Sequence, residues 1–154
     1  MTPQRKQPRS FGSRSGFIHT RTRKQSELME DYVELIDDLI IEKGEARAVD
    51  VARCLGVSHV TVSKTIGRLK EAGLVRAQPY RSIFLTESGR EMAQASRRRH
   101  RIVVEFLLSL GIPRDTALID AEGIEHHVSQ ATLEAMRRFA EAAVAADAPT
   151  PLSA

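Results

Sequence analysis

The stretch from Ala48 to Leu69 constrains this chain more than any other. Val51, Ala52 and Leu55 recur at helical spacing and run into Gly56. With no Cβ, Gly56 accepts the tight left-handed turn that other residues resist. Ser58 can then N-cap a second helix whose Val62, Ile66 and Leu69 point inward. Two short helices joined in this way form a helix-turn-helix, with the second as recognition helix. Its outward positions are Ser58 at the start, then His59, Thr61, Lys64, Thr65 and Arg68. Small, polar or basic residues there suit contacts to base edges and phosphates. The competing reading is a structural helical hairpin, which has no need of a basic outer face.

The flanks extend the pattern. Leu28, Tyr32, Leu35, Ile36, Leu39 and Ile40 predict a first helix, N-capped at Ser26 and stopped at Gly44. Gly73 ends the recognition helix. Leu74–Arg76 and Ile83–Leu85 then read as two short strands joined around Pro79, Tyr80, Arg81 and Ser82. A β-hairpin in that place makes a winged helix, with Arg81 at the wing tip to meet the sugar-phosphate backbone or minor groove. Thr86 opens a long helix stopped by Gly111 and Pro113. Pro113 starts another, and Ser129 caps a last one. The late helices carry more apolar surface than one winged helix needs, which suits a two-fold dimer interface. Residues 1–24 mix Pro, Ser, Gly, Gln and Arg and read as a disordered basic arm, and the segment from Ala146 as an unstructured tail.

Charge placement adds to this. The net charge is only +3, yet seven basic residues and no acid precede Glu27, while acids concentrate in the first helix and the C-terminal half. A polyanion could meet one end of the molecule while a cation is held at the other. The single cysteine, Cys54, excludes an intramolecular disulfide framework. No apolar run approaches the ~18 residues of a membrane span, and no hydrophobic signal core stands at the N-terminus. A cytoplasmic protein is expected, with no membrane partner and no organic small-molecule substrate.

The chemistry of the C-terminal half lies in Glu122-Gly-Ile-Glu125-His126-His127. On a helix, Glu122, Glu125 and His126 share one face through their i, i+3, i+4 spacing. Two carboxylates and an imidazole there are either a solvated polar face or the donors of a divalent cation. Asp31 and Glu34 lie three apart on the first helix, and by themselves read as acids near a helix start. His100 leans toward the buried side of the long helix, where a lone histidine is more often a satisfied core residue.

Taken together, Met29–Glu34, the winged helix followed by His100, and Glu122–Ser129 resemble the diphtheria-toxin-repressor family of metal-activated regulators, in its manganese-responsive branch. The resemblance covers roughly Glu27 to Phe139. It implies a mostly α fold, a winged helix-turn-helix followed by a helical dimerisation domain. The implied division is a disordered arm over 1–25, the DNA-binding domain over 26–93, a helical metal-binding and dimerisation domain over 94–146 and a disordered tail over 147–154. The implied metal ligands are Asp31, Glu34, His100, Glu122, Glu125 and His126, holding two Mn(II) ions per subunit bridged by Glu122 and Glu125. His127 projects about a quarter-turn from His126 and is no ligand. The donor set of four carboxylates and two imidazoles, free of sulfur, suits Mn²⁺. In iron-responsive relatives a Met and a Cys stand in the places of Asp31 and Glu122. Ser82 departs from the glycine that often follows the wing's Tyr-Arg.

The implied function is a homodimeric Mn(II)-activated repressor that binds a palindromic double-stranded DNA operator and controls manganese uptake genes. Three rivals stand beside it. One is an iron- or zinc-responsive repressor of the same fold. Another is a metal-independent winged-helix regulator with an organic effector. The last is a two-metal hydrolase.

Overall fold

The computed structural model describes residues 14–77 and 81–147 of the 154. The elements in chain order are α1 (Arg14–Lys43), α2 (Ala48–Leu55), α3 (His59–Glu71), β1 (Val75–Arg76), β2 (Phe84–Leu85), α4 (Glu87–Ser109), α5 (Arg114–Ile124) and α6 (Gln130–Asp147). Helices α1 to α3 with the antiparallel β1–β2 pair form a winged helix, and α5 and α6 pack on the far half of α4.

The expected punctuation is realised. Gly56 ends α2 at φ 64°. Ser58 caps α3 by accepting the Thr61 N–H at 3.2 Å. Thr86 accepts the Gly89 N–H at 3.1 Å at the head of α4, and Ser129 accepts that of Thr132 at 3.2 Å before α6. Each oxygen satisfies an N–H that the first helical turn leaves without a partner.

Both ends of the chain depart from expectation. α1 starts at Arg14, so Ser26 lies inside a helix and is no cap, and residues 14–25 of the expected arm are helical. No proline falls between Pro8 and Pro79, and Arg21–Gln25 contains good helix formers. Extending a helix that already exists costs far less than nucleating one, so α1 propagates back through them. α6 likewise includes Ala146 and Asp147. Residues 1–13 of the arm, 148–154 of the tail, and Pro79 and Tyr80 of the wing turn lie outside the described residues.

Two apolar clusters hold the fold. In the first, Tyr32, Val33, Ile36 and Leu39 of α1 meet Val51, Val62 and Leu69 of the helix-turn-helix and Val75, Ile83 and Leu85 of the wing. In the second, Val103 and Val104 of α4 meet Ala121 of α5 and Leu133 of α6. Phe106 and Phe139 pack edge-to-face nearby, 5.6 Å between centroids. α4 serves both clusters, burying Ala93 in the first and Val103 in the second. The wing is tied back to the α1–α2 loop, because Ile83 N–H donates to Ala46 O at 2.7 Å and Ser82 Oγ donates to Glu45 Oε2 at 2.5 Å. Ser82 therefore acts as a wing anchor through a side chain that glycine could not supply.

Candidate metal centre and nucleic-acid interface

α1, α4 and the end of α5 meet between the two clusters, and the acidic and imidazole side chains gather there. A cleft of about 500 Å³ is lined by Glu27, Asp31, Glu34 and Asp38 of α1 together with Glu122, Glu125 and His126. The α1 acids fall at i, i+4, i+7 and i+11, one stripe of a helix whose adjoining face is buried. α5 ends at Ile124, so Glu125 is its C-cap in αR geometry and His126 lies in the following turn. The motif is thus placed by a helix terminus rather than carried on a continuous helix.

Glu125 is the hub. Its side chain is only 3% exposed; Oε2 lies 2.7 Å from His100 Nδ1, and Oε1 lies 3.6 Å from His126 Nε2. His126 Nε2 is also 3.5 Å from Asp31 Oδ1, and His100 Nδ1 is 3.5 Å from Glu122 Oε1. Glu122 remains largely exposed and Glu34 lines the cleft wall. The six sequence-derived ligand candidates therefore occupy one junction. Among the described residues, however, no three His, Cys, Asp or Glu side chains close around a single point; the donors pair with one another instead.

The set nevertheless fits a hard divalent cation. Burial pushes the Glu125 carboxyl up, against the pull of His100 and His126, and Glu122 pushes it up further. Partial burial likewise raises Asp31, with His126 opposing and Glu122, Glu30 and Glu34 adding to the rise. Crowded carboxylates that resist ionising are what a cation relieves, and oxygen and imidazole donors without sulfur match a hard or borderline ion.

These shifts fix a sign. A carboxyl whose folded pKa is raised contributes stability that is whole below its unfolded pKa, near 3.8 for Asp31 and 4.5 for Glu125, and is lost as pH rises through the folded pKa. In chelator, the Glu125→Gln chain should therefore gain melting temperature on wild type as pH rises from about 4 to about 8. Circular-dichroism melts of the two chains across that range measure it; parallel curves would remove the carboxyl from the pH response.

Five further residues of the junction, Glu30, Asp37, Asp38, Arg97 and Arg99, were not assigned to it from sequence. Glu30 Oε2 accepts from Arg99 Nη2 at 2.5 Å and lies 3.2 Å from His126 Nδ1. Arg97 binds Asp37 at 2.6 Å and also Asp38, tying α4 to α1. Acids on α1 alternating with Arg97 and Arg99 on α4 were the available signal, but no sequence pattern sets which helix faces which. His127 stands 3.4 Å from Glu27 at the rim.

On the winged helix, Ser58 at the cap of α3 and His59, Thr61, Lys64 and Arg68 along it are exposed, as is Arg81 on the wing. Thr65 does not join them. It is 4% exposed and donates to Thr61 O at 3.1 Å. With Val62, Ile66 and Leu69 it occupies the i, i+3, i+4, i+7 stripe that packs inward, so the sequence placed it on the wrong face.

A winged helix coupled by α1 and α4 to a carboxylate–imidazole junction is the build of a metal-dependent DNA-binding regulator. Two family models match the chain: the iron dependent repressor N-terminal DNA binding domain over residues 24–83, and the iron dependent repressor metal binding and dimerisation domain over 86–143. The transcriptional regulator MntR of Salmonella typhimurium is 53% identical over 126 residues, covering 82% of this chain and 80% of that protein. The HTH-type regulator MntR of Bacillus subtilis is 38% identical over 66% of this chain and 71% of its own length. A solved manganese-dependent transcriptional repressor in complex with manganese is 32% identical at TM-score 0.63, and the manganese regulator SloR 28% identical at TM-score 0.63. Each aligns with 73% of this chain, which spans about half of their length, 52% and 53%.

The chain belongs to the diphtheria-toxin-repressor family of metal-dependent transcriptional regulators. It is a DNA-binding homodimer that responds to a divalent metal, and it is a regulator rather than an enzyme. Among the described residues no helix is long and apolar enough to cross a membrane.

Proposed function

We propose that this chain is a cytoplasmic, Mn²⁺-activated repressor that binds palindromic operators of manganese uptake genes. One observation carries the reading: Asp31, Glu34, Glu122 and Glu125 gather with His100 and His126 at the junction of the two clusters, with no sulfur donor among them. These six residues would hold the metal, at two ions per subunit. When bound, the metal would supply positive charge among the four carboxylates. The chain's own residues do the rest. Asp31 and Glu34 belong to α1, whose Tyr32, Val33 and Ile36 are core residues of the winged helix. Fixing the α1 acids against Glu125 and His126 therefore fixes the orientation of α3. The exposed apolar residues Leu110, Leu118, Ile119, Phe139 and Val144 form the proposed dimer face. Two such units held at a set spacing can enter successive major grooves about 34 Å apart.

On the DNA face, Lys64, Arg68 and Arg81 are assigned to phosphates and base edges, with His59 and Thr61 at the head of the recognition helix. Removing Lys64 or Arg68 should weaken binding and lower the slope of log K against log salt by about one if the residue contacts phosphate. A fluorescence titration across salt concentrations measures this, and an unchanged slope would withdraw the residue from the phosphate contacts.

The deciding experiment titrates Mn²⁺, Fe²⁺ and Zn²⁺ against binding to a manganese-transporter promoter fragment. Mn²⁺ should switch binding on at the lowest concentration relative to its cellular availability. Tight binding in chelator, unaltered by any of the three ions, would overturn the proposal.

A further inference from the structure

Glu30 lies behind the imidazole that faces the cleft. Its Oε2 is 3.2 Å from His126 Nδ1 and accepts from Arg99 Nη2 at 2.5 Å. The three side chains come from the turn after α5, from α1 and from α4, and all are largely buried: His126 is 10% exposed, Glu30 16% and Arg99 25%. A carboxylate oxygen can only accept here, so His126 Nδ1 must be the protonated nitrogen of the contact. In the neutral ring the lone pair is then on Nε2, the nitrogen that lies 3.5 Å from Asp31 Oδ1 and 3.6 Å from Glu125 Oε1. No hydrogen bond closes those two gaps. Nε2 thus keeps its lone pair on the side of the cleft acids, where a ligating imidazole would need it.

We propose that Glu30, held in place by Arg99, is the positioning residue of the metal centre, setting the tautomer and ring orientation of His126; this rests on the metal-centre reading above. Glu30 is not itself a ligand. Its Oε2 is committed to two donors, Arg99 Nη2 and His126 Nδ1. Arg99 offsets part of its charge, so the pair supplies orientation at a smaller electrostatic cost than a lone carboxylate would. A carboxylate placed behind a ligating imidazole commonly changes metal affinity by about 10–100-fold. In this fold the same carboxylate belongs to α1, so it also joins the metal centre to the winged helix at a point distinct from Asp31 and Glu34.

The test uses the full chain as wild type, Glu30→Leu and Glu30→Gln, with ¹⁵N-labelled histidine. In chelator, long-range ¹H–¹⁵N spectra at a pH where His126 is neutral should report Nδ1–H in wild type. Glu30→Gln keeps an acceptor and should retain that form, whereas Glu30→Leu should shift His126 toward Nε2–H. Mn²⁺ affinity, read from the free-ion electron paramagnetic resonance signal, should fall about 10–100-fold in Glu30→Leu and much less in Glu30→Gln. A His126 tautomer identical in all three chains overturns the inference even if affinity falls, since the loss would then be a packing effect. A wild-type chain that binds no Mn²⁺ overturns the metal-centre reading instead, and the tautomer spectra, which need no metal, still decide the role of Glu30.

Discussion

Replacing Glu125 by Ala should abolish Mn²⁺-switched DNA binding while leaving the chain folded. Glu125 is the one acid of the junction that touches both imidazoles, through separate oxygens, and only 3% of its side chain is exposed. Its loss removes one proposed donor, releases His100 from a 2.7 Å contact and deprives His126 of a neighbour. Mn²⁺ affinity should therefore fall by more than the roughly 100-fold upper limit for an outer-sphere partner. Stability in chelator should change little or rise, because burial already disfavours the charge at this position. Mobility shifts across a Mn²⁺ titration, beside circular-dichroism melts, separate the two effects. A variant with an unchanged Mn²⁺ midpoint would sink the assignment of this residue. Glu122→Ala provides a graded comparison, since Glu122 is mostly exposed and lies 3.5 Å from His100.

Gly89→Ala should be the most destabilising single-methyl substitution in the winged helix. A Cβ at Gly89 would lie 2.1 Å from the Leu74 carbonyl oxygen and 3.3 Å from Leu85 Cδ2. The obstructing oxygen belongs to the backbone leading into β1 and accepts the Thr86 N–H at 3.0 Å, so it cannot step aside as a side chain would. Relief requires moving either the head of α4 or the base of the wing, and both are anchored by Thr86. Overpacking of this kind costs about 3 kcal/mol, the upper end of the usual range. For a chain of this size that corresponds to a fall in melting temperature of about 6–12 °C. A melting temperature within about 2 °C of wild type would overturn the close contact between α4 and the base of the wing.

Much of this architecture could be read before any coordinates. Gly56, Ser58, Gly73, Thr86, Gly111 and Ser129 act locally, through the chain's own turns and caps, so the element order followed from them. Thr65 shows where that reading ends. Its polarity argued for the outer face, but inclusion in the apolar stripe depends on which side α1 and α2 occupy, and packing decided it. The start of α1 failed differently: composition suggested an arm, whereas helix propagation depends on the stability of the neighbouring turn. At the junction, Glu122, Glu125 and His126 announced themselves by spacing. Glu30 and Arg99 did not, because their partnership spans 69 positions and arises only when α1 lies against α4.

α1 has one further consequence. Asp31 is followed at once by the buried Tyr32 and Val33, and Glu34 is followed two positions later by the buried Ile36. Sensor and scaffold are thus interleaved on one rigid rod about 45 Å long, its 30 residues each rising about 1.5 Å. Inserting one residue between Asp31 and Ile36 would turn the acids about 100° relative to the core and uncouple them. Substitution at Asp31 therefore risks disturbing how the reading head is aimed, whereas Glu122, exposed at the end of α5, does not share that burden. A change of donor at Glu122 therefore alters the metal centre without touching the residues that aim the recognition helix.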